Sequence, residues 1–348
     1  MVVSRSCSSP RNTIASYRSI TKKKIVFLCL LLGILLITIL IGLAVGASSL
    51  DLSSVFSALM REDGLARSIV VELRLPRITV AVLAGWGLAL SGAVTQAILR
   101  NPLASPFTLG VASGAGFGAV LGILMGHGLH QWLIASSAFG FALLTSFFIL
   151  SVAQLKNISS ETMILAGVAT MFFFSSLTSF VQYLGTMEEV HEITFWFFGS
   201  LSRAGWQEIG VALLMIAPPT PLLMKWAWSF NALMAGDESA KTLGVNVWRI
   251  RLGGILLASL ITAGAICFTG IIGFVGLVAP HIARMLVGSD HRFLLPTSVL
   301  LGAILVVNAD TLSRTLWVPQ VIPIGIVTSF LGVPFFFYLL MKRRRDYW

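Results

Sequence analysis

A chain of 348 residues with 56% hydrophobic and 11% charged residues is not a soluble globular domain, where about 45–50% apolar and about 25% charged residues are usual. At about 20 residues per crossing plus loops, it has room for roughly eight to eleven membrane spans, which makes it an all-α polytopic membrane protein. The formal charge of +10 would also suit nucleic acid, but the basic residues sit beside the apolar runs, where they orient a membrane protein.

Residues 1–24 form a basic leader ending in Lys22, Lys23 and Lys24. The apolar run after it, Ile25 to Val45, is about twice a signal-peptide core, so it is expected to be an uncleaved first span at about 25–46. Residues 48–77 are too polar to cross. Within them Ser53 or Ser54 can cap a short amphipathic helix carrying Val55, Phe56, Leu59 and Met60 on one side. Further spans are expected at about 78–98, 107–126, 132–153, 162–184 and 206–224, then, after a polar insert at about 225–251, at about 252–271, 274–288, 294–309 and 321–341. This gives about ten transmembrane helices in a single domain, 25–345.

Ten spans place both termini on one side. With Arg5, Arg11, Arg18, the three leader lysines, Arg100, Lys156, Lys225, Lys241, Arg249, Arg251, Arg284, Arg292 and Lys342 to Arg345, that side holds 18 of 24 basic and 5 of 14 acidic residues, a net +13 against −3 opposite. The excess predicts cytoplasmic termini, and with them a cytoplasmic polar insert.

Cys7 lies in the leader, and Cys29 and Cys267 lie in apolar runs. None has a CxxC partner, so neither a zinc knuckle nor a disulfide framework is indicated. Gly110, Gly114, Gly118, Gly122 and Gly126 recur every four residues, a ridge that lets another backbone approach closely. No GxxxxGK[ST] loop is present, so the ridge serves packing and not a phosphate. "LASP" at 103–106 and "LVAP" at 277–280 are too slight to establish an internal repeat.

Convergent catalytic groups are missing from the sequence. His127 and His130 are spaced i,i+3 without a third ligand, Glu188, Glu189, His191 and Glu192 suit a solvated loop face, and His281 and His291 stand apart. No HExxH or GxSxG motif occurs, so no metal site and no catalytic residue is assigned. At membrane depth the acid is Asp310, with Arg314 at i+4 to neutralise it. Ion-coupled carriers usually hold ionisable groups within the bilayer, so an energy source outside the chain is the economical expectation.

The insert "GDESAKTLGVNVWRIR", Gly236 to Arg251, then takes on meaning. It predicts one short helix from Asp237, opened by acids that favour a helix N-terminus and closed by a left-handed Gly244, with Asn246 starting the exit. Ala240, Leu243 and Val247 would supply a small apolar patch. Such a helix can dock into a groove of a soluble partner or rest on lipid headgroups.

Longer motifs carry a family resemblance. "RLPRITVAVLAGWGLALSGAVTQAILRNPLASPFTLGVASGAGFGAVLG" (Arg74–Gly122), "FTGIIGFVGLVAPHIARMLVGSDHRFLLP" (Phe268–Pro296), "DTLSR" and "PIGIVTSFLGVPFFFYLL" resemble FecCD-type permeases of iron-siderophore, haem and cobalamin ABC importers, over about residues 50–345. The resemblance implies ten helices per subunit and a central path between two permease subunits, identical or paralogous. It implies a cytoplasmic ABC ATPase dimer, which would carry the ATP and Mg (this chain binding no cofactor), and an extracytoplasmic substrate-binding protein. The location implied is the cytoplasmic membrane of a prokaryote.

Carried over by position, Asp237, Glu238, Lys241, Leu243 and Gly244 would meet the ATPase. Arg74, Arg77 and Arg314 would meet acids of the binding protein, a geometry that arginine forks suit; the alternative for Arg77 is snorkelling to headgroups. Asn101, Pro102 and Leu103 with Ser159 and Ser160 would form the inner constriction. "FWFFGSL" would be a short helix lining the outer mouth. Alternatives are a permease for another chelate or an oxyanion and an ATP-independent secondary transporter; a membrane enzyme would need a polar cluster that the sequence lacks.

Overall fold

The computed structural model describes residues 10–46, 51–60, 64–126, 131–155, 160–203 and 205–341, and among these there is no β-strand. The chain begins with α1 (Pro10–Ala44), α2 (Leu52–Met60) and α3 (Leu65–Arg67), and a π-helical stretch Ser68–Arg74 that runs without a break into α4 (Leu75–Leu99). Then come α5 (Val111–Gly126), α6 (Gln131–Leu155), α7 (Ser160–Leu184), α8 (Met187–Phe198), α9 (Trp206–Ile216) and α10 (Pro219–Lys225). The chain closes with α11 (Ala227–Met234), α12 (Asp237–Thr242), α13 (Val247–Thr269), α14 (Val275–Val287), α15 (His291–Thr315) and α16 (Ile324–Met341). Among the described residues, seven segments are long and apolar enough to cross a membrane, with α9 and α10 counting as one, and α5, α14 and most of α16 add three shorter apolar helices. The all-α polytopic fold of about ten apolar helices is the one expected.

Three boundaries differ from expectation. First, α1 starts inside the leader and has 35 residues, about 52 Å at 1.5 Å per residue, far longer than a bilayer core of about 30 Å. Second, the span expected from 78 begins at Ser68, because Arg74 and Arg77, which made this stretch look too polar to cross, find partners inside the subunit. Third, α2 buries Val55 and Ala58 while Phe56 and Met60 face outward. Neither Ser53 nor Ser54 is its N-cap, since the helix starts at Leu52 and both lie inside it.

The bundle is organised around α4, which is buried along nearly its whole length and packs against α13, α14 and α15. Lipid offers no hydrophobic drive for helix association, so close packing has to supply it, and small residues permit that packing. A Cβ on Gly92 of α4 would overlap the Gly276 carbonyl of α14, and one on Gly85 would overlap the Gly302 carbonyl of α15. The ridge on α5 works the same way: Gly114, Gly118 and Gly122 lie against Thr145, Ser137 and Ile134 of α6. Gly110 stands just before the helix at φ +74° and faces Gly167 of α7.

The termini of α8, α13 and α16 are stitched together by backbone hydrogen bonds. Ser200 N–H donates to the Thr269 carbonyl at 2.7 Å, and Ile324 N–H donates to the Gly199 carbonyl at 3.3 Å. α8 itself starts in a capping box between Thr186 and Glu189. Glu189, grouped in the sequence with other outer acids, therefore has a local structural role. Beside this seam an apolar groove of about 490 Å³ is lined by Phe197, Phe198, Ile271, Ile326, Phe330 and Val333 among others.

The packing gives a test. Gly92→Val and Gly118→Val should each destabilise the detergent-purified protein by at least the ~1–3 kcal/mol typical of overpacking, seen as a lower thermal unfolding midpoint. Gly140→Ala, where nothing lies within 4 Å of the added methyl, should leave the midpoint unchanged or slightly raised.

Candidate functional site

The polar insert folds as a short helix framed by two glycines. Gly236 enters at φ +106° and Gly244 leaves at φ +81°, sparsely populated backbone regions that cost an ordinary L-residue about 1–3 kcal/mol. Gly244 N–H donates to the Lys241 carbonyl and Val245 N–H to the Ala240 carbonyl, both at 2.9 Å, which closes α12 with a Schellman motif. Asn246 then caps α13, its side chain accepting from Arg249 N–H.

The two faces of α12 differ. Ala240 is fully buried and Val247 nearly so, whereas Leu243 is 70% exposed. The patch expected from Ala240, Leu243 and Val247 is therefore split: Ala240 and Val247 are enclosed, while Leu243 at the C-cap is not. Glu238, Ser239, Lys241, Thr242, Leu243 and Gly244 are exposed. Lys241 Nζ donates to Glu238 Oε1 at 2.8 Å, and this hydrogen bond raises the ammonium pKa.

Asp237 points the other way. Its Oδ1 accepts from Arg251 Nη2 at 2.8 Å and lies 3.8 Å from Arg100 Nη2. Of the residues expected to meet an ATPase, Glu238, Lys241, Leu243 and Gly244 are outward and Asp237 is an internal tether.

Arg100 ends α4 in the left-handed conformation (φ 49°, ψ 36°) and leads directly into Asn101, Pro102 and Leu103. Asn101 Oδ1 accepts from Leu103 N–H at 2.9 Å, and the Asn101 carbonyl accepts from Ala104 N–H at 3.0 Å. The turn is tight, with Leu103 exposed. Ser160 opens α7, and its buried Oγ has no hydrogen-bond partner among the described residues. Ser159 lies outside the described residues, as do His127 and His130.

A second polar cluster joins α11 to α15 at the start of the latter. Asp290 caps α15 and accepts from Asn231 Nδ2 at 2.9 Å and from Arg292 Nη2 at 2.6 Å. Asn231 Oδ1 in turn accepts from His291 N–H at 2.8 Å. The Arg292 guanidinium stacks 4.1 Å above the Trp228 ring, and Lys24 Nζ sits 5.0 Å from the Phe293 ring centre, which brings α1 to the same end. Partial burial alone would raise the Asp290 carboxyl, yet hydrogen bonds from Arg292 and Asn231 hold it at about 2. Sequence reasoning missed this cluster. The available signal was Asp290 immediately before an apolar run, an N-cap pattern.

At the opposite end the three arginines expected to face an external partner are engaged within the subunit. Asp310 is fully buried, with Oδ1 accepting from Arg77 Nε at 2.6 Å and Oδ2 from Arg314 Nε at 2.9 Å. Arg314 also donates to the carbonyls of Gly42 and Val45, each at 3.0 Å. Arg74 Nη1 donates to those of Leu43 at 2.6 Å and Ala44 at 2.9 Å. Helix C-termini leave four carbonyls without intrahelical partners, and here the guanidiniums cap those of α1. The i,i+4 pairing of Asp310 with Arg314 was foreseen. Its third member, Arg77, lies 233 residues away.

Among the described residues no group of three or more metal-ligating side chains occurs. Residues 34–342 match the model of the FecCD transport family. The chain belongs to this family. It is 45% identical over 340 residues to a Methanocaldococcus jannaschii protein described as an ABC transporter permease, with 94% of this chain and 97% of that one covered. It is 38% identical to the hemin transport system permease protein of Yersinia pestis (91% and 97% covered). Identity to the molybdate import system permease protein of Haemophilus influenzae is 36% (90% and 94% covered). A solved inward-facing transporter, described as of the metal-chelate type, superposes with a TM-score of 0.82 at 34% identity, covering 91% of this chain and 99% of that one. The chain is thus a multi-pass transport permease and not an enzyme.

Two tests follow from the charged clusters. Asp310→Asn leaves two guanidiniums without their carboxylate and should destabilise the purified protein by ~3–5 kcal/mol, whereas Arg77→Leu with Asp310→Leu should cost less; paired unfolding curves measure both. The Asp290 carboxyl is held below its usual value near 3.8, so its contribution is complete above that value and is lost as pH falls toward about 2. The stability gap between wild type and Asp290→Asn should therefore close across that window in unfolding midpoints taken at pH 5, 4, 3 and 2.

Proposed function

We propose that this chain is the membrane permease subunit of an ABC importer. It carries a metal chelate, with an iron-siderophore as the first choice, into the cytoplasm by alternating access driven by a separate ATPase. The observation that carries this reading is α12: a short helix with an exposed Leu243 and a glycine-closed end, anchored from its other face into the bundle. Such a shape fits a groove on a soluble partner, and a pull on it acts on the helices to which Asp237 is tied. Arg251, Arg284, Arg292 and Lys24 gather at the same end, which under the positive-inside rule faces the cytoplasm.

The charge inventory supports an external motor. Asp310, the carboxylate at depth, is held between two guanidiniums, so it is not poised to load and release a proton as an ion-coupled carrier requires. ATP and Mg belong to the partner ATPase dimer in this reading. A second permease subunit, identical or paralogous, completes the path, with the cytoplasmic membrane of a prokaryote as its location. An extracytoplasmic binding protein would deliver cargo to the opposite end. There Arg77, whose side chain is 13% exposed, would meet an acid of that protein with the part of its guanidinium not donated to Asp310, while Arg74 and Arg314 hold α1.

Hemin and molybdate are both named among the cargoes of relatives at similar identity, so an oxyanion is the second reading. Reconstitution with the partner ATPase and binding protein, and ATP-dependent uptake of ferric hydroxamate, ferric citrate, haemin, cyanocobalamin and molybdate, decides between them. Uptake without the ATPase would instead establish a secondary carrier.

Coupling has its own test. Leu243→Ser with Gly244→Val, which removes the exposed apolar contact and strains the φ +81° turn, should cut ATPase co-purification and uptake at least tenfold without changing the unfolding midpoint by more than a few degrees. Full association and uptake would refute the assignment of α12 to the motor.

A further inference from the structure

The end of α4 reaches α12 through one carboxylate. Arg100 adopts a left-handed backbone, which costs a non-glycine residue about 1–2 kcal/mol. Its Nη1 lies 3.7 Å from the position a Cβ on Gly236 would take, and its Nη2 lies 3.8 Å from Asp237 Oδ1. The same Asp237 oxygen is held at 2.8 Å by Arg251, whose side chain is 4% exposed. Glu161, in the first turn of α7 beside Ser160, also lies within electrostatic reach of Arg251. Three elements therefore meet at this point: the short helix, the foot of α4 that continues into Asn101–Leu103, and the start of α13.

The two contacts of Asp237 are unequal. The Arg251 contact is short and buried on the arginine side, so breaking it would leave a desolvated charge, at a cost of several kcal/mol. The Arg100 contact is longer and both side chains are partly exposed, at 40% and 31%, so it contributes no more than about 1 kcal/mol to stability. A link that weak does little for the fold, yet it lies between the handle and the turn.

We propose that Arg100, Asp237 and Arg251 form a strut in which Arg251 fixes Asp237 to α13 while Arg100 slaves the Asn101–Leu103 turn to α12, so that Arg100 is a positioning residue for the inner constriction. This rests on the importer reading above. It assigns Asp237 to transmission within the subunit rather than to contact with the ATPase. The unusual backbone at Arg100 serves it, because it turns the side chain off the end of α4 toward α12.

The test uses the reconstituted permease–ATPase complex with Cys7, Cys29 and Cys267 replaced and Leu103→Cys as a reporter, labelled by a membrane-impermeant maleimide with and without ATP. In the otherwise wild-type complex the labelling rate should change at least fivefold on ATP loading. Arg100→Gly suits the left-handed backbone, so folding is preserved. It should keep the ATPase bound and hydrolysing while the ATP-dependent change in labelling falls to less than twofold. Arg100→Lys should restore most of it. An undiminished labelling response in Arg100→Gly overturns the strut and leaves the importer reading standing. A wild-type chain that binds no ATPase overturns both.

Discussion

A charge that cannot reach water has to meet its counter-charge inside the protein, and in this chain that constraint fixes both ends of the bundle. Transferring an unpaired carboxylate or guanidinium into an apolar medium costs several kcal/mol or more. Among the described residues, Asp310 with the guanidiniums around it and the buried Arg251 with the partly exposed Asp237 show that constraint at the two ends. The same logic extends to the backbone. The last carbonyls of α1 have no intrahelical donors, and Arg74 and Arg314 supply them. α1 packs chiefly on α15 and turns most of its surface outward, so side-chain packing alone would attach it loosely. The arginines that neutralise Asp310 also fasten that helix.

Between these two charged ends runs α4. Its 25 residues span about 37 Å, and its glycines set it so close to α14 and α15 that a single added carbon at Gly85 or Gly92 would collide with backbone. Packing of that density does not deform smoothly. Motion along α4 must be motion of the whole helix or a change at its ends. One end is a π-helical stretch carrying Arg74, a geometry often found where helices serve a function. The other is the left-handed Arg100. α4 is thus a closely packed rod with an irregular backbone at each end.

Much of this was legible in the sequence, and the reasons differ by feature. The number of apolar helices follows from hydropathy because lipid demands unbroken apolar runs. The limits of α12 followed from the acids that open it, from Gly244 and from Asn246, whose preferences are local, and the glycine ridge announced close packing through its spacing alone. What stayed hidden was set by partners far along the chain. Arg77 and Asp310 are 233 residues apart, and nothing local tells a guanidinium bound for an external carboxylate from one bound for an internal one. Residues 68–77 looked too polar to cross for the same reason. In α2 the apolar residues did not mark the buried face, since Val55 and Ala58 are enclosed while Phe56 and Met60 are not. Only the neighbours decide which side of a short helix is inside.

The six residues of α12 show how local and distant constraints combine. The bracketing glycines could hold any short helix off a bundle, and a run of polar residues would keep it soluble. Asp237 ties it to the bundle, because its carboxylate is committed to a buried arginine on α13 and lies near another at the foot of α4. Leu243 stands at the C-cap with most of its side chain exposed, while Ala240 and Val247 on either side of it are enclosed. The positive φ of Gly244 ends the helix directly after it. The helix therefore has one side held by the bundle and one side open, and both follow from where a few side chains find partners.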